Sequence, residues 1–269
     1  MDYKKYTEAN RIAWNQAMPY HQKNRPLDPH VKFKESGYST LDKHETEMLN
    51  KIGLDGRSVA HLCCNNGQEL ISIVNLGAKS GVGFDICDEA IDEAKQLAEI
   101  SKANCEFVRI DVYDIESSWH DRFDLVYITI GALPWLPDLR GFFAIVAKML
   151  KSGGILMIYE SHPFLNMIAT DDEPEYDPRN PFKISYSYFR DEIYEDTSGI
   201  DYYGNESYDA HVSYEFFHQL STILNTVIAS GFEINAFHEY PHDISNCFGH
   251  LEDDKLLPLC YILTAKKRN

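Results

Sequence analysis

The chain has 269 residues, 44% of them hydrophobic, which suffices for one α/β domain with insertions or a domain carrying a small cap. Its 42 acidic residues outnumber 25 basic ones, for a formal net charge of −17. That balance argues against nucleic-acid phosphates and anionic membranes as partners, since both need basic surface. No apolar run approaches the roughly 20 residues that span a bilayer, and "MDYKKYTEANRIAW" has no apolar signal-peptide core, so a cytoplasmic protein is expected.

The cysteines (63, 64, 87, 105, 247 and 260) show no CxxC spacing and the histidines no HExxH pattern. Neither a disulfide nor a metal site is expected. Most of these cysteines fall in or at the ends of predicted strands, where Cys behaves as a small apolar residue.

In chain order, residues 4–22 place Tyr6, Asn10, Ala13, Trp14, Ala17 and Met18 along one helical face. A polar, proline-containing loop follows over 23–38. A second helix is predicted to start at Ser39 or Thr40 and to stop near Gly53. From residue 57 the pattern alternates. "SVAHLCC" is a strand, "GQELISIVNLG" a helix, "SGVGFDI" a strand, and "DEAIDEAKQLAEIS" a helix with Ala90, Ile91, Ala94, Leu97 and Ala98 inward. "CEFVRI" and "FDLVYITI" are the third and fourth strands. A helix over about 139–151 then precedes the fifth, "GILMIYE". Almost wholly apolar strands alternating with helices indicate a parallel sheet buried on both faces.

The alternation breaks at "SHPF". Residues 164–214 are rich in Asp, Glu and Tyr, with an acidic run "DDEPEYDP" and one possible strand, "FKISYSYF". Helical periodicity returns in "YEFFHQLSTILNTVIASG". The strands "FEINAFHEY" and "LCYILTAKK" close the chain, which implies an antiparallel last strand. The expected fold is therefore a Rossmann-like, mostly parallel seven-stranded sheet with helices on both faces. Residues 1–56 would form an N-terminal helical cap on a domain spanning 57–269, with an insertion at about 164–217.

Open α/β sheets bind ligands at the carboxyl ends of their strands, near the topological switch point. The second strand ends in Asp85, about twenty residues past the first loop, where an acid accepts both hydroxyls of a ribose. The third ends in Asp111, suited to an exocyclic amine such as that of adenine. Together they describe an adenosine pocket. A dinucleotide needs glycines where its pyrophosphate nearly touches the loop backbone, yet "CCNNG" offers Gly67 alone, with Cys63 and Asn65 at the other two positions. Asn visits left-handed conformations more readily than most residues, and S-adenosylmethionine carries no phosphate. The loop favours S-adenosylmethionine as the cofactor, and Asn65 is expected to have a positive φ.

From residue 57 to about 163 the chain resembles the class I S-adenosylmethionine-dependent methyltransferases, most of all a small subgroup of small-molecule type whose first motif reads like "HLCCNNGQEL". The resemblance continues in "GVGFDICDEAIDEAKQLA", "FVRIDVYD", "FDLVYITIGALPWLPDL", "LKSGGILMIYESHP" and, after the insertion, "YEFFHQL" and "YILTAKK". It implies that Cys63, Asn65 and Gly67 wrap the methionyl portion and that Asp85 binds the ribose with Ile86 against the adenine. It further implies that Asp111 reads the adenine amine, with the Val112 amide near a ring nitrogen, and that Thr129 lies beside the methionyl group. Most of the superfamily has an acid where His61 stands, which leaves backbone carbonyls to hold the methionyl ammonium.

His162 and His218 both lie towards the cofactor side, and either is a candidate general base because imidazole titrates near neutral pH. The N-terminal helices and the insertion, with Tyr176, Tyr186, Tyr188, Tyr194, Tyr202 and Tyr203, are expected to enclose a small-molecule acceptor. Two rival functions are an NAD(P)-dependent oxidoreductase, disfavoured by the missing glycines, and a non-catalytic protein that binds S-adenosylmethionine or S-adenosylhomocysteine.

Overall fold

The computed structural model describes residues 3–171, 173–200, 203 and 208–268; of the residues named above, Tyr202 and Asp172 of the acidic run lie outside these. The apolar runs form the strands β1 (Ser58–Leu62), β2 (Ser80–Asp85), β3 (Cys105–Arg109), β4 (Phe123–Thr129) and β5 (Leu150–Ser161). Two later strands, β8 (Phe232–Tyr240) and β9 (Cys260–Lys267), complete a seven-stranded sheet in the order β3-β2-β1-β4-β5-β9-β8. β1 to β5 are parallel, and β9 runs antiparallel to both β5 and β8. The order reverses between β1 and β4, which opens a crevice at their carboxyl ends.

Alternate side chains of each inner strand point to opposite faces. On one face Ala60, Leu62, Val126, Ile128 and Ile158 pack with Phe142 and Val146 of α6 (Leu139–Met149) and Ile223 and Val227 of α7 (Leu220–Ala229). On the other, Val59, Leu125, Tyr127 and Met157 meet Leu49 of α3 (Lys43–Ile52), Leu70 of α4 (Gln68–Asn75) and Leu97 of α5 (Asp88–Ser101). Truncating such a side chain, Phe142→Ala for example, costs about 3–5 kcal/mol. No helix among the described residues is long and apolar enough to cross a membrane.

The second helix begins at Lys43, not at Ser39 or Thr40. Asp42 accepts the Glu45 backbone N–H while the Glu45 carboxylate accepts the Asp42 N–H, a reciprocal capping box. Thr40 instead donates its N–H to Ser72 Oγ of α4 at 3.0 Å. The loop predicted over 23–38 contains a short helix, α2 (Pro29–Lys32), started by Asp28. α6 stops at Met149, and β5 begins at Leu150, before the glycine pair.

The insertion corrects two expectations. "FKISYSYF" forms no ladder: Ile184 makes one isolated bridge to Ile168, and Ile184 and Phe189 are 71% and 73% exposed. Among the described residues the strands there are β6 (Tyr194–Asp196) and β7 (Ser213–Glu215), paired antiparallel. The last predicted helix starts at Leu220 rather than Tyr214, because its first residues are drawn into β7 and Phe216 donates its N–H to the Pro134 carbonyl at 2.8 Å.

Helix α1 (Lys4–Asn24) lies across the strand ends. Its Asn10 amide donates to the Tyr214 carbonyl at 2.9 Å and accepts the Tyr214 N–H at 2.7 Å, imitating a neighbouring strand. Asn15 Oδ1 accepts the N–H groups of Asp88 and Glu89 at 2.9 and 3.2 Å, supplying from outside the cap that α5 lacks locally.

Candidate active site

β1 ends in a turn with three left-handed residues: Cys63 (φ 55°), Asn65 (φ 46°) and Gly67 (φ 72°). The positive φ expected of Asn65 is present, and Cys63 shares it, so both residues standing where glycines are usual adopt a glycine conformation. For a residue with a Cβ this costs roughly 1–2 kcal/mol. Gly67 is irreplaceable on space as well, since an added Cβ would lie 2.3 Å from Cε1 and Cζ of Phe107.

Asp85, at the tip of β2, is the hub of this turn. Its Oδ2 accepts the Asn65 N–H at 2.8 Å and its Oδ1 accepts the Cys87 N–H at 2.9 Å. Burial raises its pKa, while the amides of Cys87, Asn65 and Ile86 pull it back down. The carboxylate thus joins the β1 loop to the start of α5. Burial, reinforced by Asp85, Asp111 and Glu160, pushes the Cys63 thiol well above its ordinary value, and Cys64 follows for similar reasons. Both therefore remain thiols and pack as small apolar groups.

Asp111 is buried beyond β3 and caps the 3-10 turn Val112–Asp114, accepting the Tyr113 N–H at 3.0 Å. Its second oxygen accepts Lys4 Nζ of α1 at 3.2 Å, and the same ammonium pairs with Asp114. Val112 is buried beside it. At the end of β4, Thr129 is buried and its Oγ1 reaches no hydrogen-bonding partner among the described residues. Trp14 of α1 packs on Met18, Cys87 and Ala90 and meets Trp135 edge-on at 5.4 Å. His61 is buried next to Tyr127, and burial alone lowers its pKa to about 3. It is neutral and cannot replace the acid usual at that position.

The structure separates the two candidate histidines. His162 caps the 3-10 turn Pro163–Met167, its Nδ1 accepting the Phe164 N–H at 3.2 Å and its Nε2 donating to Glu239 at 3.1 Å. Both ring nitrogens are engaged in holding that turn. Burial lowers its pKa, and Glu239 opposes the shift. His218 Nε2 lies 2.8 Å from the Leu136 carbonyl, which only accepts, so Nε2 carries the proton and Nδ1 the lone pair of the neutral ring. Burial lowers its pKa too, against the Leu136 and Leu133 carbonyls.

Both histidines line a cavity of about 160 Å³, together with Leu133, Pro134, Glu160 and Phe216. Glu160 escaped the sequence reading. Its Oε1 accepts the N–H groups of Gly131 at 2.6 Å and Ser161 at 2.9 Å, and its Oε2 accepts that of Leu133 at 3.2 Å. Burial raises its pKa and these amides lower it. The carboxylate fixes the loop after β4; an acid closing the apolar run "GILMIYE" was the available signal.

A family model described as a methyltransferase domain matches residues 59–154, which span β1 to the start of β5 and hold Asp85, Asp111 and the left-handed turn. Residues 59–154 are thus similar to a methyltransferase domain. Among curated relatives, it is 29% identical over 143 residues to the sterol 24-C-methyltransferase erg6 of Aspergillus fumigatus, covering 52% of this chain and 37% of that enzyme. It is likewise 29% identical over 150 residues to the ribosomal protein L11 methyltransferase of Neisseria meningitidis, covering 54% and 46%. The chain thus spans less than half the length of these relatives. Among solved structures, an S-adenosylmethionine dependent methyltransferase from Mesorhizobium loti superimposes with a TM-score of 0.62 at 20% identity, covering 82% of this chain and 96% of that one. That likeness supports the methyltransferase fold.

Proposed function

We propose that the protein uses S-adenosylmethionine to methylate a neutral or cationic small molecule bound in the cavity beside the β4 loop. The observation that carries this reading is the pair of acids, Asp85 and Asp111, at adjacent strand ends next to a left-handed loop with one glycine. In this reading Asp85 takes the ribose hydroxyls with Ile86 against the adenine, and Asp111 takes the adenine amine with the Val112 amide near a ring nitrogen. Cys63, Asn65 and Gly67 surround the methionyl portion, with Thr129 beside it. The residues fit such a ligand. Carboxylates accept from hydroxyls and amines, and the buried Thr129 Oγ1 has unused hydrogen-bonding capacity. A loop with side chains at 63 and 65 favours a ligand without pyrophosphate.

Bound S-adenosylmethionine supplies an electrophilic methyl group on a sulfonium. The chain's own residues then align the acceptor, exclude water and take up a proton. His218 is the proton acceptor in this scheme, neutral and with Nδ1 as its remaining lone pair. His162 orients the turn after β5. Residues 1–56 act as the cap and 164–217 as the acceptor-side lid, and the net charge of −17 favours a neutral or cationic acceptor over a nucleic acid.

The test is transfer from methyl-labelled S-adenosylmethionine to a panel of small hydroxy, amino and thiol compounds, with RNA and protein acceptors alongside. Label should enter a small neutral or cationic compound, and His218→Phe should slow it by about 10²–10⁴-fold. Label entering RNA or protein instead would contradict the acceptor assignment. Cofactor binding with no transfer to any acceptor would favour a non-catalytic binding protein.

A further inference from the structure

We infer that Arg25, Glu93 and Asn66 form a positioning network through which the N-terminal helix sets the shape of the cofactor loop. The inference rests on the cofactor-binding reading above and assigns part of that site to the cap. Arg25 closes the C-terminal end of α1, and its Nη2 donates to both oxygens of Glu93 on α5 at 2.8 Å each. The two side chains are only 6% and 2% exposed. Glu93 Oε2 also accepts Asn66 Nδ2 at 3.1 Å, and Asn66 is itself buried. Asn66 lies between Asn65 and Gly67, both left-handed.

A buried ion pair is a weak device for stability, because desolvating two charges consumes much of what their attraction returns. Its best-attested use is to fix one arrangement among several. Here the arrangement is a strained loop, and strained conformations persist only where the surroundings over-determine them. The backbone N–H of Asn66 and both ends of its side-chain amide are engaged. Its N–H donates to Asn65 Oδ1 at 2.7 Å, its Oδ1 accepts Gln68 Nε2 at 3.2 Å, and its Nδ2 is held by Glu93. Glu93 in turn is held in place by Arg25.

The same helix also reaches elements of the cofactor crevice elsewhere along its length. Lys4 reaches Asp111, and Asn15 caps α5 next to the two Asp85 contacts. A cap that merely roofed the acceptor cavity would need none of these contacts. Arg25 and Glu93 are therefore positioning residues, acting on the cofactor through Asn66.

The experiment is a thermodynamic cycle, titrating S-adenosylhomocysteine calorimetrically into the full-length wild type, Asn66→Ala, Arg25→Gln and the double variant. Far-ultraviolet circular dichroism and a melting curve establish that each is folded. Asn66→Ala, which leaves the ion pair intact, should bind about tenfold more weakly, and Arg25→Gln about fivefold more weakly. The double variant should be no weaker than Asn66→Ala, because both changes cut one chain of contacts. Arg25→Lys, which keeps the charge, should recover part of the loss. Should Arg25→Gln not fold, Glu93→Gln replaces it in the cycle with the same expectation. Wild-type affinity in Asn66→Ala, or fold-losses that multiply in the double variant, would overturn the inference while leaving the functional reading in place. No binding by the wild type would instead remove the functional reading, and the network's role with it.

Discussion

Gly67→Ala is the sharpest perturbation of the loop, because two separable costs can be worked out for it. At φ 72° an alanine pays the left-handed penalty of roughly 1–2 kcal/mol. Its Cβ would also sit 2.3 Å from Cε1 and Cζ of Phe107, and 3.2 Å from Cβ of Ala94. Carbon atoms in good contact are about 3.5–4.0 Å apart, so the Phe107 ring must move by roughly an ångström. Phe107 is buried in the core with Leu70, Ile91 and Ala94, and over-packing such a site costs about 1–3 kcal/mol. The sum is about 2–5 kcal/mol. With a urea m-value of roughly 3 kcal/mol/M, the midpoint should fall by about 1 M. Phe107→Leu in the Gly67→Ala background should restore the over-packing part and leave the backbone part, so the double variant is less destabilised than the sum of the singles. A midpoint within about 0.2 M of wild type for Gly67→Ala, or strict additivity in the pair, would show that neither the backbone nor the Phe107 ring demands glycine there.

Asp85→Ala removes the acceptor for the Asn65 and Cys87 amides and the proposed ribose acceptor. It should weaken S-adenosylhomocysteine binding by roughly 1.5–3 kcal/mol in calorimetry; unchanged affinity would mean that Asp85 does not bind the ribose. At Asn65 (φ 46°), Val should cost about 1–3 kcal/mol in urea unfolding and Gly much less. Equal tolerance would show that no special backbone conformation is needed there. His61 gives a pH dependence of definite sign. Its folded pKa of about 3 lies below the unfolded value, so the unfolded state binds more protons as pH falls below about 6.5, and stability is lost towards acid. The loss attributable to His61 should be about 2 kcal/mol at pH 5. His61→Leu should flatten the stability profile between pH 7.5 and 5, and an unchanged slope would remove His61 as its cause.

What was legible in the sequence was what neighbours in sequence decide. The apolar runs of β1, β2 and β4 have no other reading than buried strands, and α5 runs from Asp88 to Ser101 as its periodicity requires. The acids at strand ends and the left-handed Asn65 follow from the same local logic. The helix start at Asp42 was legible too, since Asp42 with Glu45 three residues on is a capping-box signature that Ser39 and Thr40 lack. Other features are decided by distant partners. "FKISYSYF" alternates like a strand, yet a ladder needs a neighbour, and among the described residues Ile184 finds a single bridge. Tyr214 continues a helical period, but Asn10, 204 positions earlier, takes its backbone. The Arg25–Glu93 pair joins residues 68 positions apart, and Glu160 grips amides 27 and 29 positions before it. No window of sequence contains those contacts. His162 and His218 were equal in sequence, and only the hydrogen bonds at each ring nitrogen distinguish them.

Whether this crevice holds S-adenosylmethionine or a dinucleotide is decided by calorimetric titration of the wild-type protein with S-adenosylhomocysteine and, separately, with NAD. One site for S-adenosylhomocysteine of low-micromolar affinity or tighter, about −8 kcal/mol, is expected, with no measurable heat from NAD. Saturable binding of NAD, or none of S-adenosylhomocysteine, would contradict this expectation.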